Sequence, residues 1–282
     1  IDYLFIDEAG QVSLADLISI GNVAKNIILI GDQNQLGQPI KGVHPNNSGQ
    51  SILDYLLEGK DTIPEDRGIF LNKTYRLNSK LNEFISSNFY EERLICDEIT
   101  DKRIIKFNKK SLIKNDGIHY LEMKHKNNVQ TSIEEFEVVR DLMKEMIGSE
   151  FDDNGSKRKL TVEDFLIISP YNTQVNLLIS KLEEAKIKNP RVGTIDKFQG
   201  QEAPITIISM TSSDSDSLPR NKEFFFSRNR LNVAISRAQV ASIILFNPLL
   251  LDSSPKNLDQ IKLMNNFFKF LNLKIKDQNL IN

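Results

Sequence analysis

The stretch YLFIDEAG at residues 3–10 decides the fold class, because an apolar run passes directly into two acidic residues. A second stretch, NIILIGDQNQL at residues 26–36, repeats this form, with an apolar run followed by glycine, an acid and amides. Runs that are apolar on both faces are typical of strands in a parallel sheet covered by helices. Functional groups in open α/β sheets lie at the carboxyl ends of strands, so neighbouring strands would bring both polar ends to one edge.

Short apolar runs alternate with segments of helical periodicity along the rest of the chain. Further strands are predicted at residues 68–71, 118–122, 165–169, 191–195, 205–210 and 241–246, and helices at residues 14–20, 51–57, 79–89, 133–147, 173–185, 228–237 and 258–271. This alternation predicts an α/β fold with parallel sheets flanked by helices. A polar break at residues 58–67 predicts a domain junction, which divides the chain into residues 1–62 and 63–282.

Composition excludes several classes of protein. Lys and Arg number 36 and Asp and Glu 38, so the net charge of −2 rules out a globally basic nucleic-acid-binding tail but not a local basic cleft. One cysteine, Cys96, and three histidines do not suit a Cys/His zinc site. The apolar runs are far shorter than the roughly 20 residues of a membrane span. With no signal peptide, we expect a cytoplasmic protein, and the start on Ile1 within an apolar run predicts a piece of a longer one.

Three further segments carry candidate functional residues. Residues 228–237 (RNRLNVAISR) hold three of the 11 arginines, which suggests that the planar guanidinium fork is needed there. Residues 192–202 (VGTIDKFQGQE) place glycine and amides before a strand, where amides that face a cleft can bind phosphates or sugar hydroxyls. Tyr75 and Arg76 lie between a predicted strand and a predicted helix. Each pattern alone also fits a structural alternative: an exposed basic helix, or an ordinary loop.

In this order and at this spacing, the five segments resemble motifs II to VI of superfamily 1 helicases, in the 5′-to-3′ subgroup that includes the nonsense-mediated-decay RNA helicase. Residues 48–57 and 63–68 are similar to bacterial proteins that fuse such a helicase to an N-terminal RecB-like nuclease. The resemblance covers residues 1 to about 250. It implies a RecA-like P-loop NTPase fold, with the C-terminal part of a first RecA-like domain at residues 1–62 and a complete second one at residues 63–282.

The resemblance implies that five residues hydrolyse ATP with Mg2+. Asp7 would ligate the magnesium ion, and Glu8 would activate the attacking water. Gln35 would contact the γ-phosphate and report hydrolysis to the nucleic-acid side. Arg76 and Arg237 would reach the γ-phosphate from the second domain as arginine fingers.

Other residues would bind the nucleotide or the strand by the same resemblance. Tyr75 would pack on the base or ribose, and Glu202 would bind a ribose hydroxyl, with Gln199 and Gly200 in the same cleft. Single-stranded nucleic acid, DNA rather than RNA, would be the partner, without sequence readout. The residues expected to hold its backbone are Ser169, Pro170, Tyr171, Asn172 and Thr194. The N-terminal remainder of the same polypeptide, with a RecB-like nuclease domain as a candidate, is the other expected partner.

The sequence departs from the family pattern in two places. The first family motif, the phosphate loop G-x-x-x-x-G-K-[ST], does not occur, and the nearest segment, GKD at residues 59–61, lacks its glycines and hydroxyl. Because this loop precedes Asp7 in the family, we expect it upstream of the chain, and the chain alone to be inactive. Gln239 stands where the family usually carries arginine, and Arg228 has no assigned place in the cleft.

The main alternative to an ATP-dependent helicase or translocase is a docking module for nucleic acid or protein that derives from a helicase. The five intact catalytic positions argue against this loss of activity. A nuclease site is disfavoured because Asp214 and Asp216 have no lysine beside them. A serine hydrolase is equally disfavoured because the sequence contains no G-x-S-x-G.

Overall fold

The computed structural model describes residues 1–38, 42, 44–108, 111–214, 227–251 and 261. Its strands are β1 Tyr3–Ile6, β2 Asn26–Leu29, β3 Lys73–Thr74, β4 Ile95–Cys96, β5 Arg103–Ile105, β6 Gly117–Glu122, β7 Glu150–Asp153, β8 Ser156–Lys159, β9 Phe165–Ile168, β10 Val192–Gly193, β11 Ala203–Ser209 and β12 Ala238–Phe246. Its helices are α1 Leu14–Gly21, α2 Ile52–Leu57, α3 Ser79–Phe89, α4 Ile133–Met146, α5 Asn172–Glu184 and α6 Arg228–Ser236. Apart from residue 261, the predicted helix at residues 258–271 lies outside the described residues, as does Asp216.

Five strands form a parallel sheet in the order β10-β9-β11-β12-β6. Strands β9 and β11 are buried along their whole length, because helices cover both faces of the sheet. Leu81 of α3 and Val233 of α6 belong to the core on one face, and Leu142 of α4 and Leu178 of α5 to the core on the other. Full burial of such a side chain contributes about 1.5–3 kcal/mol. The predicted α/β fold, with a parallel sheet flanked by helices, is confirmed.

Polar caps determine where five of the helices begin. A side-chain oxygen just before each helix accepts a hydrogen bond from a backbone N–H three residues further on, which supplies a partner that the first turn otherwise lacks. The capping residues are Ser13, Ser51, Asn78, Ser132 and Ser227. Such a cap typically contributes about 0.5–2 kcal/mol.

Residues 1–57 form a smaller unit around β1 and β2, which pair in parallel from Tyr3 opposite Asn26 to Ile6 opposite Leu29. Its core contains Ile6 together with residues of the turn after β1 and of α2. The pairing sets the carboxyl ends of β1 and β2 side by side, as the sequence predicts. The division of the chain at residue 62 stays a prediction.

Several regions differ from the sequence predictions. The predicted strand at residues 191–195 is only Val192–Gly193, because Ile195–Phe198 form a 3-10 helix, and the paired strands β3 and β4 were not predicted. Residues 68–71 are extended without sheet partners, not a strand, and Ile69 and Leu71 are 86% and 79% exposed. Strands β5, β7 and β8 form an antiparallel sheet that the apolar pattern does not predict, since β8 is a wholly exposed run of serine and basic residues. Within the described ranges, none of the helices has the length and apolar character needed to cross a membrane.

Candidate active site

The backbone segments at the carboxyl ends of β1 and β2 are in close contact. The amide N–H of Ala9 donates to the carbonyl of Ile30 at 2.9 Å. A Cβ on Gly31 would lie 2.7 Å from the nitrogen of Ala9, and a Cβ on Gly10 would lie 2.7 Å from the carbonyl oxygen of Asp32. Glycine is therefore required at both positions, and the acids of one strand end lie beside the polar residues of the other.

Asp7 and Glu8, which follow β1, are both exposed. The N–H of Glu8 donates to Oδ1 of Asp7 at 2.9 Å. Glu8 has φ 52° and ψ 40°, in the left-handed region that residues other than glycine seldom adopt. Backbone strain of this kind is typical of functional sites.

A cleft of about 810 Å³ opens at these strand ends. Its volume is within the roughly 300–1,000 Å³ that is typical of small-molecule sites. Apolar side chains such as Phe70 and Leu71 form part of its wall. Six of the predicted catalytic or nucleotide-binding residues, from both sides of the predicted domain junction, also line it: Asp7, Glu8, Gln35, Tyr75, Arg76 and Glu202.

Arg76 and Glu202 form an ion pair in this cleft, with 2.5 Å between Nε and Oε2. Gln239, the residue that departs from the family pattern, donates from Nε2 to Oε1 of Glu202 at 2.8 Å. Burial raises the pKa of Glu202, but the hydrogen bond and positive charge of Arg76 outweigh it and hold this pKa below its ordinary value. Glu202 is therefore an anion fixed at both of its oxygens.

The predicted finger Arg237 is buried, with 3% of its surface exposed. Its Nη1 donates to the carbonyl of Gln201 at 3.3 Å and its Nη2 to Oε1 of Gln35 at 3.5 Å. Its Nε has no hydrogen-bond acceptor among the described residues. The guanidinium is thus incompletely paired.

Arg237 is not among the described residues that line the cleft, but charged residues of its lining act on the pKa of Arg237. Burial, together with the positive charge of Arg76, lowers the pKa of Arg237 to about 10. The carboxylates of Glu8 and Glu202 act in the opposite direction. Arg237 is therefore a protonated cation at neutral pH, close to groups from both strand-end segments.

Helix α6 holds the loop that carries Gln35. The side-chain amide of Asn229 donates to the carbonyls of Gln33 and Gln35 at 2.8 and 2.7 Å. The amide of Asn232 donates to the carbonyl of Asn34 at 2.8 Å. Three successive carbonyls of the loop after β2 are thus bound by two asparagines of one helix.

Arg228 has a role that the sequence analysis missed. Its two terminal nitrogens donate to the two oxygens of Asp61 at 2.6 and 2.8 Å, and Nη2 also donates to the carbonyl of Asn88 at 2.6 Å. Its guanidinium lies 5.1 Å from the ring centroid of Phe89. Arg228 therefore ties α6 to the predicted junction. The three arginines within residues 228–237 were the only sign of this role in the sequence, and they did not identify Asp61 as the partner of Arg228.

Arg103 is a second residue that the sequence analysis missed. Its Nη1 donates to the carbonyls of Tyr75 and Arg76 at 3.1 and 2.9 Å, while its Nε pairs with Asp153 of β7 at 3.2 Å. The small antiparallel sheet thus supports the backbone of two cleft residues. The sequence did single out Arg103, because it is the one arginine among the eight basic residues at positions 102–126.

The residues predicted to hold a single strand follow β9 and β10 at the carboxyl edge of the large sheet. Ser169 is buried and its hydroxyl lies 3.1 Å from that of Thr211, and Tyr171 is also buried. Asn172 is exposed, whereas Pro170 and Thr194 are half-buried. The surface offered to a ligand therefore consists of the last three.

Gln199 and Gly200 lie in a turn at the surface and are not among the described residues that line the cleft. Gly200 has φ 75°, which suits glycine. The turn closes through a hydrogen bond from the N–H of Gln201 to the carbonyl of Phe198 at 3.0 Å. The predicted contact of this pair with the nucleotide stays a prediction.

Comparison with known proteins adds a family and several relatives. The family described as AAA domain matches residues 49–248. The DNA replication ATP-dependent helicase/nuclease dna2 of Schizosaccharomyces pombe is 30% identical over 281 residues, which cover 90% of this chain and 19% of that protein. An uncharacterized ATP-dependent helicase of Methanocaldococcus jannaschii is 29% identical over 278 residues, which cover 93% of this chain and 38% of that protein. The structure of the Arterivirus nonstructural protein 10 helicase with DNA superposes with a TM-score of 0.43 at 16% identity over 90% of this chain and 42% of that one. The chain spans well under half the length of these two curated relatives.

Proposed function

The chain belongs to the AAA domain family, and on this premise we propose that it is the C-terminal motor part of an ATP-dependent helicase or translocase that acts on single-stranded DNA. In this proposal, residues 1–62 complete a first RecA-like domain and residues 63–282 form the second. ATP and Mg2+ bind in the cleft between them. Closure and opening of the cleft move the protein along the strand.

One observation carries the proposal: Arg237 is a buried cation with an unpaired N–H, and it contacts Gln35, a residue that lines the cleft. A buried donor without an acceptor is costly, by about 1–3 kcal/mol. A turn of the Arg237 side chain towards the cleft would bring this donor to an anionic oxygen bound there. Glu8 and Gln35 act on Arg237 from the opposite side of the predicted junction, so such an oxygen would be held by both halves.

The described residues fit a magnesium nucleotide. Asp7 offers an exposed carboxylate, and carboxylate oxygen is a preferred ligand of magnesium. The bound ion would neutralise charge on the phosphate oxygens. Glu8, next to it, would orient the attacking water and accept its proton. Arg76 and Arg237 would stabilise the negative charge that grows on the γ-phosphate during its transfer.

The Arg76–Glu202 ion pair supports a rearrangement on nucleotide binding, in which each of the two residues exchanges this contact for one with the nucleotide. A ribose hydroxyl that donates to Glu202 would compete with Arg76 for the same carboxylate. Arg76 would then turn towards the phosphates, while Gln239 keeps Glu202 in place through Oε1. The exposed ring of Tyr75 next to Arg76 would stack on the base.

Two observations support single-stranded DNA as the second ligand. Pro170, Asn172 and Thr194 are accessible at the carboxyl edge of the large sheet, where ligands of open α/β sheets bind. The name of the Schizosaccharomyces pombe relative assigns that protein to DNA replication. The same name includes a nuclease, which supports a nuclease domain in the N-terminal remainder of the polypeptide that contains this chain.

An ATPase assay tests the proposed function. The longer protein that contains this chain should hydrolyse ATP with Mg2+ at about 1 s⁻¹ or faster, and single-stranded DNA should stimulate it. This chain alone should show no turnover above background, because no G-x-x-x-x-G-K-[ST] loop occurs in it. A longer protein that binds nucleic acid without hydrolysis would contradict the proposal and favour the docking module. Turnover by this chain alone would contradict its assignment as a part of the motor.

A further inference from the structure

We propose that Tyr90 is a positioning residue that fixes the orientation of Gln35 through Asp32 and links it to helix α6. Tyr90 lines the same cleft, but the helicase resemblance assigns it no role. The inference rests on the proposed function, because it concerns the residue expected to sense the γ-phosphate. It is carried by a closed ring of hydrogen bonds.

The first step of the ring joins Gln35 to Asp32. Nε2 of Gln35 donates to Oδ2 of Asp32 at 3.0 Å. The other carboxylate oxygen, Oδ1, accepts from the N–H of Asn34 at 2.9 Å and closes the turn. Since the amide nitrogen of Gln35 faces a carboxylate, its Oε1 is free to face Arg237, whose Nη2 lies 3.5 Å away. Asp32 thus sets which way the amide of Gln35 points.

The second step joins Asp32 to Tyr90. The phenolic hydroxyl of Tyr90 donates to Oδ2 of Asp32 at 2.5 Å, the same oxygen that accepts from Gln35. Tyr90 is only 9% exposed, and its ring lies 6.2 Å from that of Phe70. Burial and the negative charge of Asp32 raise the pKa of Tyr90, so its hydroxyl keeps its proton and remains a donor. A fixed donor on a buried ring holds Asp32 in one rotamer.

The third step joins Tyr90 to α6. The side-chain amide of Asn232 donates to the hydroxyl of Tyr90 at 3.0 Å and to the carbonyl of Asn34 at 2.8 Å. Arg237 follows directly after the end of α6, so the helix that contacts Tyr90 also places the finger. The ring therefore runs from Gln35 through Asp32, Tyr90 and α6 to Arg237, and back to Gln35. It fixes the predicted sensor and the predicted finger relative to each other.

Kinetics of Tyr90→Phe in the longer protein test this positioning role, because the substitution removes one hydroxyl and keeps the ring. Loss of a hydrogen bond to a charged group should lower the kcat of ATP hydrolysis by about 10-fold. The KM for ATP should change less than about 2-fold, because the hydroxyl is already bonded to Asp32 and Asn232 and is proposed to act through them. Tyr120→Phe is the matched control: Tyr120 lies in β6, where its ring packs edge-on against Phe246. Its substitution should leave kcat unchanged.

A double substitution separates positioning from general destabilisation. If Tyr90 acts through Gln35, Tyr90→Phe should cause no further loss of kcat in a Gln35→Ala background. Independent, multiplicative losses would overturn the proposal, as would equal kcat values for Tyr90→Phe and Tyr120→Phe.

Amide hydrogen exchange on this chain provides a readout that does not depend on activity. In Tyr90→Phe, the N–H of Asn34, which donates to Asp32, should exchange faster than in Tyr120→Phe, while the amides of β9 and β11 stay protected in both. If the longer wild-type protein hydrolyses no ATP, the proposed function fails, but the exchange result still decides whether Tyr90 orders this turn. Unchanged exchange at Asn34 would overturn the positioning role.

Discussion

Arg237, which is buried, contacts Gln35, a residue that lines the cleft, with 3.5 Å between Nη2 and Oε1. The helicase resemblance predicts that Arg237 is the arginine finger and that Gln35 is the γ-phosphate sensor. Their contact places the predicted finger next to the predicted sensor. Nε of Arg237 lacks an acceptor among the described residues, which supports the proposal that the side chain changes partners when an anion binds.

Arg228→Ala should weaken the attachment of α6 to the junction. The bidentate bond to Asp61 and the bond to the carbonyl of Asn88 would be lost, at a cost of about 1–3 kcal/mol in the free energy of unfolding. Chemical denaturation of this chain measures it, and a cycle with Asp61→Asn isolates the pair. Arg140→Ala, which breaks an exposed pair with Asp141, should cost under about 1 kcal/mol. Equal costs for the two arginines would show that Arg228 does not join the two parts.

Gly31→Ala should destabilise the unit of β1 and β2. Its new Cβ would lie 2.7 Å from the nitrogen of Ala9, a backbone atom that cannot move without separating the strand ends. We expect a loss of about 1–3 kcal/mol in the free energy of unfolding. The control is Gly37→Ala, since a Cβ there meets nothing within 4 Å. If both variants unfold at the same denaturant concentration as the wild type, the close approach of the two strand ends is wrong.

Glu8→Gln in the longer protein should abolish ATP hydrolysis and preserve ATP binding. The amide keeps the shape of the carboxylate but cannot accept a proton from the attacking water, so we expect a loss of about 10²–10⁴-fold in kcat. Nucleotide affinity and turnover should be measured on the same preparation. A parallel loss of both would remove Glu8 from its proposed role.

The large sheet could be predicted from the sequence because its central strands β9, β11 and β12 contain continuous apolar runs, and burial on both faces leaves that pattern. The antiparallel sheet could not, because β8 is polar and exposed and is held by pairing with β7 through a hairpin. Residues 68–71 were wrongly predicted to be a strand. They are an apolar run, but no neighbouring strand pairs with them, and residues 69–71 form part of the wall of the cleft instead.

The site was predictable where a segment has its own pattern, as at the ends of β1 and β2. The contacts that hold the segments together were not, because they join residues far apart in the chain. Arg228 and Asp61 are 167 positions apart, and Asn232 and Asn34 are 198 apart. Local sequence patterns cannot predict a contact between residues so far apart. These contacts, like that of Tyr90 with Asp32, therefore became known only from the structure.

Arg237→Ala in the longer protein tests the central claim most directly. In the proposed mechanism Arg237 would stabilise charge that grows on the γ-phosphate only in the transition state, so its loss should lower kcat by about 10³-fold or more while nucleotide affinity changes much less. Arg237→Lys should rescue poorly, because a point charge lacks the guanidinium fork. Arg140→Ala, which breaks the Arg140–Asp141 pair on α4, is the control. Arg228 is unsuitable as a control because its loss would also weaken the contact between the two parts of the chain. The account predicts a large kcat defect for Arg237→Ala alone; equal, slight losses for Arg237→Ala and Arg140→Ala would contradict it.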